Sequence, residues 1–210
     1  IDGLKIILTY NNGQLVQAAT RGDGTIGEDI ISNIKTIRSI PLKLNKETNI
    51  TVVGEAWIAK KTLESINKER EELGEEKYAN TRNLAAGSIR QLDPKITATR
   101  KLDSFLYDID EVDGELLKTQ SDEINLLKDL GFKTNPHSVV CNSVEEIQKY
   151  YEGWTKKKDS LNYVLDGIVI KINSVKIQKA LGYTGKSPRW GVAYKFPAEQ
   201  VTTVVEDIVL

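Results

Sequence analysis

The sequence predicts an α+β fold: antiparallel sheets with helices packed outside them. Two apolar, alternating stretches, residues 4–10 and 14–20, flank Asn11-Asn12-Gly13, whose residues tolerate the positive φ of a hairpin turn. Strand-like and helix-like patterns then alternate irregularly, without the repeated strand–helix–strand order of a parallel sheet. A length of 210 residues suits one large domain or two small ones, and 40% apolar residues are enough for a substantial core.

The elements follow in order. Arg21-Gly22-Asp23-Gly24 is too glycine-rich for either regular state. Apolar residues at 30, 31, 34 and 37 predict a short amphipathic helix over 28–37. A strand is expected over 50–58, a charged helix over 60–73, and a loop with a short helix over 80–101. Residues 105–109 read as a strand, and 119–130 and 143–157 as helices. The last third returns to strands at 165–172, 192–196 and 203–210.

Composition excludes several classes. The net charge of −1 gives no global positive field for nucleic acid, but the charge is unevenly spread. Residues 80–101 carry +4, whereas residues 110–129 carry −5, and the acidic segment is expected on a surface away from any anion site. One cysteine, Cys141, rules out an internal disulfide framework and a thiolate-rich zinc site. No apolar run approaches the roughly 18–20 residues of a membrane span. The start has no signal-peptide character, and with no Met in the chain Ile1 reads as a cut end. The expectation is a piece of a cytoplasmic protein, with no membrane partner and no oligomer implied.

Four short clusters contain residues suited to chemistry. In Asp166-Gly167-Ile168-Val169-Ile170-Lys171, a lysine ends an apolar strand that an aspartate begins; either it meets an anion or it is solvated at a sheet edge. Residues 186–197 carry +3 with interleaved aromatics, and Lys195 projects opposite Tyr194 and Phe196, as a phosphate contact or a snorkelling side chain. Gly54-Glu55 puts a carboxylate inside an apolar strand, where it holds either ligand hydroxyls or an internal arginine. Thr20-Arg21-Gly22-Asp23-Gly24 brings backbone and an arginine close to a ligand, or is simply a turn. His137 and Cys141 carry no expected role. No His/Cys/Asp spacing suggests a structural metal, and no Walker-type phosphate loop is present.

Taken together and in order, these clusters and the segment Asn80-Thr81-Arg82-Asn83-Leu84-Ala85-Ala86-Gly87-Ser88-Ile89-Arg90-Gln91-Leu92-Asp93-Pro94 resemble the adenylation domain of bacterial NAD-dependent DNA ligases. The resemblance covers the whole chain and implies the nucleotidyltransferase fold shared with mRNA capping enzymes. It implies an enzyme that takes AMP from NAD onto a lysine, passes it to the 5′-phosphate of nicked double-stranded DNA, and seals the strand with Mg²⁺. In that family the lysine stands in a Lys-x-Asp-Gly motif. Ile1-Asp2-Gly3 matches the last three positions, so the nucleophile would immediately precede Ile1. The expectation is a chain that binds nucleotide without adenylating itself. It would also lack the family's N-terminal segment for nicotinamide mononucleotide and its C-terminal OB-fold, zinc, helix-hairpin-helix and BRCT modules.

The resemblance assigns roles residue by residue. Lys171 and Lys195 match lysines on the α-phosphate, and Glu55 the carboxylate on the ribose hydroxyls. Arg21 matches an arginine near sugar and phosphate, and Tyr107 the aromatic that stacks on adenine, with a core tyrosine as the rival. Asp2 orients the site, and Asp166 places the attacking lysine or a divalent cation. Arg82 and Arg90 look like the arginines that meet the nicked strand. Val53, Thr81, Leu84, Lys158 and Val164 depart from the family's usual residues. The alternatives are an ATP-dependent ligase-type nucleotidyltransferase and a non-catalytic nucleotide- or nucleic-acid-binding module.

Overall fold

The hairpin forms where the turn residues predict it. In the computed structural model, which describes residues 1–22, 26–114, 117–185, 187–198, 202, 204 and 207, β1 (Leu4–Asn11) pairs antiparallel with β2 (Gln14–Thr20). Asn12 and Gly13 both have positive φ, 48° and 74°, as a two-residue turn matched to strand twist requires. On its other edge β1 pairs with β3 (Ile50–Trp57), and β3 pairs with β4 (Asp103–Val112), giving an antiparallel sheet of order β2-β1-β3-β4.

One face of this sheet makes the main core. Ile6, Leu8, Tyr10, Ala18, Val52, Ala56 and Leu106 alternate inward and are nearly inaccessible. Against them pack α3 (Thr81–Ile89), through Leu84, Ala85 and Ile89, and α5 (Gln120–Asp129), through Leu126 and Leu127. The charged α2 (Lys60–Glu72) buries only Ile66 and lies outside, as its composition predicts. The fold is the expected mixture of antiparallel sheets and flanking helices.

Several expected elements are redrawn. The helix expected over 28–37 shrinks to α1 (Ile31–Ile34), because residues 28–30 pair with β2 instead: Thr20 N–H donates to Glu28 O and Ile30 N–H to Ala18 O. The apolar spacing is still used, since Ile30, Ile34 and Ile37 are all buried. Residues 80–101 hold two helices rather than one. Asn80 caps α3, and Asp93 with Pro94 starts α4 (Pro94–Thr99), whose Thr97 hydroxyl donates to Ser88 O at 2.8 Å. The helices expected over 119–130 and 143–157 appear as α5 and α6 (Val144–Lys157), capped by Thr119 and Ser143.

A second, two-stranded ladder joins β5 (Gly167–Lys171) to β8 (Gly191–Lys195). Between them lie α7 (Val175–Leu181), which the pattern did not predict, and a short pairing of β6 (Tyr183–Thr184) with β7 (Ser187–Pro188). The signals for α7 are present in Ser174, whose hydroxyl accepts from Ile177 N–H, and in Gly182, whose φ of 64° ends it. Apart from Val204 and Asp207, the strand expected over 203–210 lies outside the described residues. Among the described residues no helix is long and apolar enough to cross a membrane.

Candidate active site

The candidate residues gather on the sheet face opposite the main core. Register sets Lys5 beside Glu55, Ile7 beside Val53, Glu55 beside Phe105 and Val53 beside Asp108, so these side chains share that face. Two irregularities in β4 alter its simple alternation. Val53 pairs with Asp108 but Gly54 with Leu106, leaving Tyr107 as an extra residue; likewise Asp110 is extra between Ile109 and Glu111. Bulges of this kind re-aim side chains. Tyr107 thereby comes within electrostatic reach of Glu55, Asp108, Asp110 and Arg21, and burial followed by the three carboxylates pushes its hydroxyl above the usual tyrosine range.

Glu55 is the most perturbed carboxyl of this face. Burial pushes it up to about 7, against the opposing pull of Arg82 and a hydrogen bond from the Gly3 backbone. Gly3 makes room for it, and Gly54 lets β4 approach β3 closely. A Cβ on Gly3 would stand 2.2 Å from Ala56 O and 3.0 Å from Glu55 Cγ, and one on Gly54 would stand 2.6 Å from Phe105 O. We therefore expect Gly3→Ala to lower stability by about 1–3 kcal/mol through overpacking and to displace Glu55. Thermal unfolding checks this; an unchanged midpoint would refute the close approach.

An aromatic cluster ties the second ladder to this face. Trp57, Phe105 and Tyr163 pack with ring centroids 5.0–5.6 Å apart, and Ile1, Leu161 and Leu165 pack against them. Asp2 N–H donates to Val164 O at 3.0 Å, and Lys60 N–H to Asn162 O at 2.9 Å. At the far end of β5, Gln120 N–H donates to Asn173 O, and the Asn173 side-chain oxygen accepts from Ser121. Lys171 is thus carried to the bulged part of β4. Its ammonium lies 3.1 Å from Asp108 Oδ2 and over the rings of Tyr107 and Trp190, at 5.6 and 5.5 Å.

Glu55, Tyr107 and Lys171 are therefore brought together, with the Arg21 charge in reach of Tyr107. Asp2 is placed beside them and pairs with Arg82 at 3.4 Å. Arg90 pairs with Glu28 at 2.7 Å, and both arginines stand exposed at opposite ends of α3. Lys195 is not placed with Lys171. It lies at the other end of the same ladder face, opposite Gly167, with its amine mostly exposed and 3.9 Å from Asp166. Four residues of strand separate the two lysines, about 13 Å, a gap that two long side chains can close around one ligand. Gly22 has φ of 50° and a Cβ there would meet Ile26 O, so a glycine is required; Asp23 and Gly24 lie outside the described residues.

Two members of the acidic segment, Asp110 and Glu123, are not on a remote surface, which corrects the expectation from its charge for them. Asp110 feels Lys5 and Lys171, and burial raises its carboxyl. Glu123, in the first turn of α5, is raised to about 7 by burial and by Asp108. The reason is that α5 packs on β4 and its first turn is clasped to the end of β5. Asp108, Gln120 and Glu123 are the site-adjacent residues that sequence reasoning missed. Of the three only Glu123 is an acid of the charge run, and neither Asp108 nor Gln120 carried a signal in the sequence. Val53, Thr81 and Leu84, which depart from the family's usual residues, are buried.

Known proteins resemble this chain over essentially its whole length. The family model for the NAD-dependent DNA ligase adenylation domain matches residues 1–199. The chain is 51% identical over its full length to a DNA ligase of Halalkalibacterium halodurans, covering 31% of that protein. It is 53% identical to those of Brevibacillus brevis, over 99% of this chain and 31% of the relative, and Carboxydothermus hydrogenoformans, over 100% and 32%. The chain thus spans about a third of the length of the relatives it matches. On the strength of the matched residues and of a fold that agrees with them, this chain belongs to the NAD-dependent DNA ligase adenylation domain family.

Proposed function

We propose that this chain binds the AMP moiety of NAD on the β3–β4 face and serves the adenylyl-transfer steps of DNA ligation. The observation that carries the reading is the convergence of Glu55, Tyr107 and Lys171 on one face: a hydroxyl acceptor, an aromatic platform and a cation. Glu55 accepts the ribose hydroxyls, Tyr107 stacks on adenine, and Lys171, with Lys195 from the far end of the ladder, meets the α-phosphate. Arg21 faces the sugar and phosphate. The nucleophile is a lysine preceding Ile1. Its amine forms a bond to the α-phosphorus as the bond to nicotinamide mononucleotide breaks. Such a lysine must be neutral to attack, and nearby cations favour that state. Asp2 and Asp166 orient the site.

Mg²⁺ belongs to the same proposal. Among the described residues no three of His, Cys, Asp and Glu cluster around a possible metal position. Mg²⁺ commonly keeps several waters and takes one or two carboxylates plus phosphate oxygens. Asp166 is about half exposed and has lone pairs to spare opposite Lys195, which fits that outer role. The ion neutralises phosphate charge when bound.

Calorimetric titration of the chain with AMP tests the nucleotide reading. Saturable binding that Glu55→Ala weakens is expected; absence of binding would sink it. Nicked double-stranded DNA is the proposed partner of Arg82, Arg90 and the basic residues around α4. Each of Arg82→Ala and Arg90→Ala is expected to lower the slope of log affinity against log salt by about 1, as one phosphate contact is lost. Equal slopes for wild type and variants would remove these arginines from the DNA surface.

A further inference from the structure

Lys171 is held from behind by groups that have no part in the nucleotide reading above. Its side chain is 20% exposed and its ammonium lies 3.1 Å from Asp108 Oδ2. That approach is an ion pair without a well-aligned hydrogen bond, and the amine, which has almost no accessible surface, keeps donors without a partner. Asp108 is in turn fixed by α5. Gln120 Nε2 donates to Asp108 Oδ1 at 3.4 Å and to Glu123 Oε2 at 2.8 Å. Gln178 of α7, itself 6% exposed, donates to Gln120 Oε1 at 3.2 Å and to Ile172 O at 2.7 Å. The contacts run from β5 through β4 to two helices and return to the residue after Lys171.

A lysine side chain has four rotatable bonds, and fixing it in a half-buried place costs rotamer entropy. A fixed carboxylate offsets that cost and keeps the ammonium from turning out to water. We propose that Asp108 is the positioning residue for Lys171, set by Gln120 and Gln178, and that it keeps the ammonium aimed at the nucleotide phosphate. Asp108 presents the carboxylate that pairs with Lys171, while burial followed by the Asp108 charge raises Glu123 behind it. The inference rests on Lys171 being a phosphate lysine.

A double-mutant cycle on this chain tests it, with AMP and adenosine titrated calorimetrically against wild type, Asp108→Asn, Lys171→Ala and the double variant. Asp108→Asn is expected to weaken AMP about tenfold while leaving adenosine within twofold, and to have no further effect once Lys171 is Ala. Asp108→Glu should recover part of the loss, and Gln120→Ala should reproduce it more weakly. Unchanged or tighter AMP binding by Asp108→Asn, with Lys171→Ala still weakening it, would overturn the positioning role alone. Equal losses for AMP and adenosine, or a loss that persists in the Lys171→Ala background, would make Asp108 a merely structural residue. If Lys171→Ala itself leaves AMP affinity unchanged, the phosphate reading fails first.

Discussion

Lys171→Ala is expected to abolish nick sealing, by at least about a hundredfold, when this chain replaces the matching third of the Halalkalibacterium halodurans ligase. Phosphoryl transfer depends chiefly on positioning and on positive charge held around the transferring group. Lys171 is suited to both, because its ammonium is mostly withdrawn from water, lies near two aromatic rings and is paired on one side only. Screening is weaker there than at an exposed amine, so the lost charge weighs more. Lys195→Ala should lower sealing less, since its side chain is 73% exposed. Each variant should keep its unfolding midpoint close to that of wild type, which separates lost chemistry from lost fold. Near-normal sealing by Lys171→Ala would refute the phosphate role.

Adenosine affinity should depend on pH through Glu55. Its carboxyl is raised to about 7, first by burial, and on the proposed reading the ionised form is the one that accepts the ribose hydroxyls. Adenosine should therefore bind about tenfold more tightly at pH 8 than at pH 6, with proton release on binding below pH 7. Glu55→Ala should weaken adenosine binding and flatten this dependence; a profile as steep as wild type would assign the titration elsewhere. Stability runs the other way. A carboxyl raised on folding favours the folded state most below its ordinary value of 4.5, and that contribution is lost as pH climbs through about 7. The ligand-free chain should thus melt at a lower temperature at pH 8 than at pH 5.5, and Glu55→Gln should reduce the difference. Glu123, also raised to about 7, contributes the same sign and is the reason a remainder is expected.

Much of the fold was legible because local patterns and tertiary demands agree. The Asn12-Gly13 turn, the alternation in β1 to β3 and the capped helices α5 and α6 each follow from a few neighbouring residues. The pattern failed at 28–37, where helical spacing of isoleucines was met by a bridge and turns, since burying Ile30, Ile34 and Ile37 requires only that they face the sheet. It was less exact over 165–172, where β5 starts only at Gly167: Leu165 packs on the aromatic cluster, while Asp166 O still accepts from Phe196 N–H.

The candidate site divides along the same line. Sequence alone determined the residue types and their order: Glu55 after Gly54, Tyr107 in an apolar strand, Lys171 ending another, and Arg82 and Arg90 in a basic stretch. It also determined the family, because a segment such as 80–94 is too long and too specific to arise by chance. Only the tertiary structure decided that Tyr107 shares a face with Glu55, since that requires an irregularity in β4 whose position depends on β3. Only it decided that Asp108, Gln120 and Glu123 stand behind Lys171, and that Lys195 does not stand beside it. Strand register and helix docking are long-range choices, settled by which faces can be buried together, and no local run of residues encodes them.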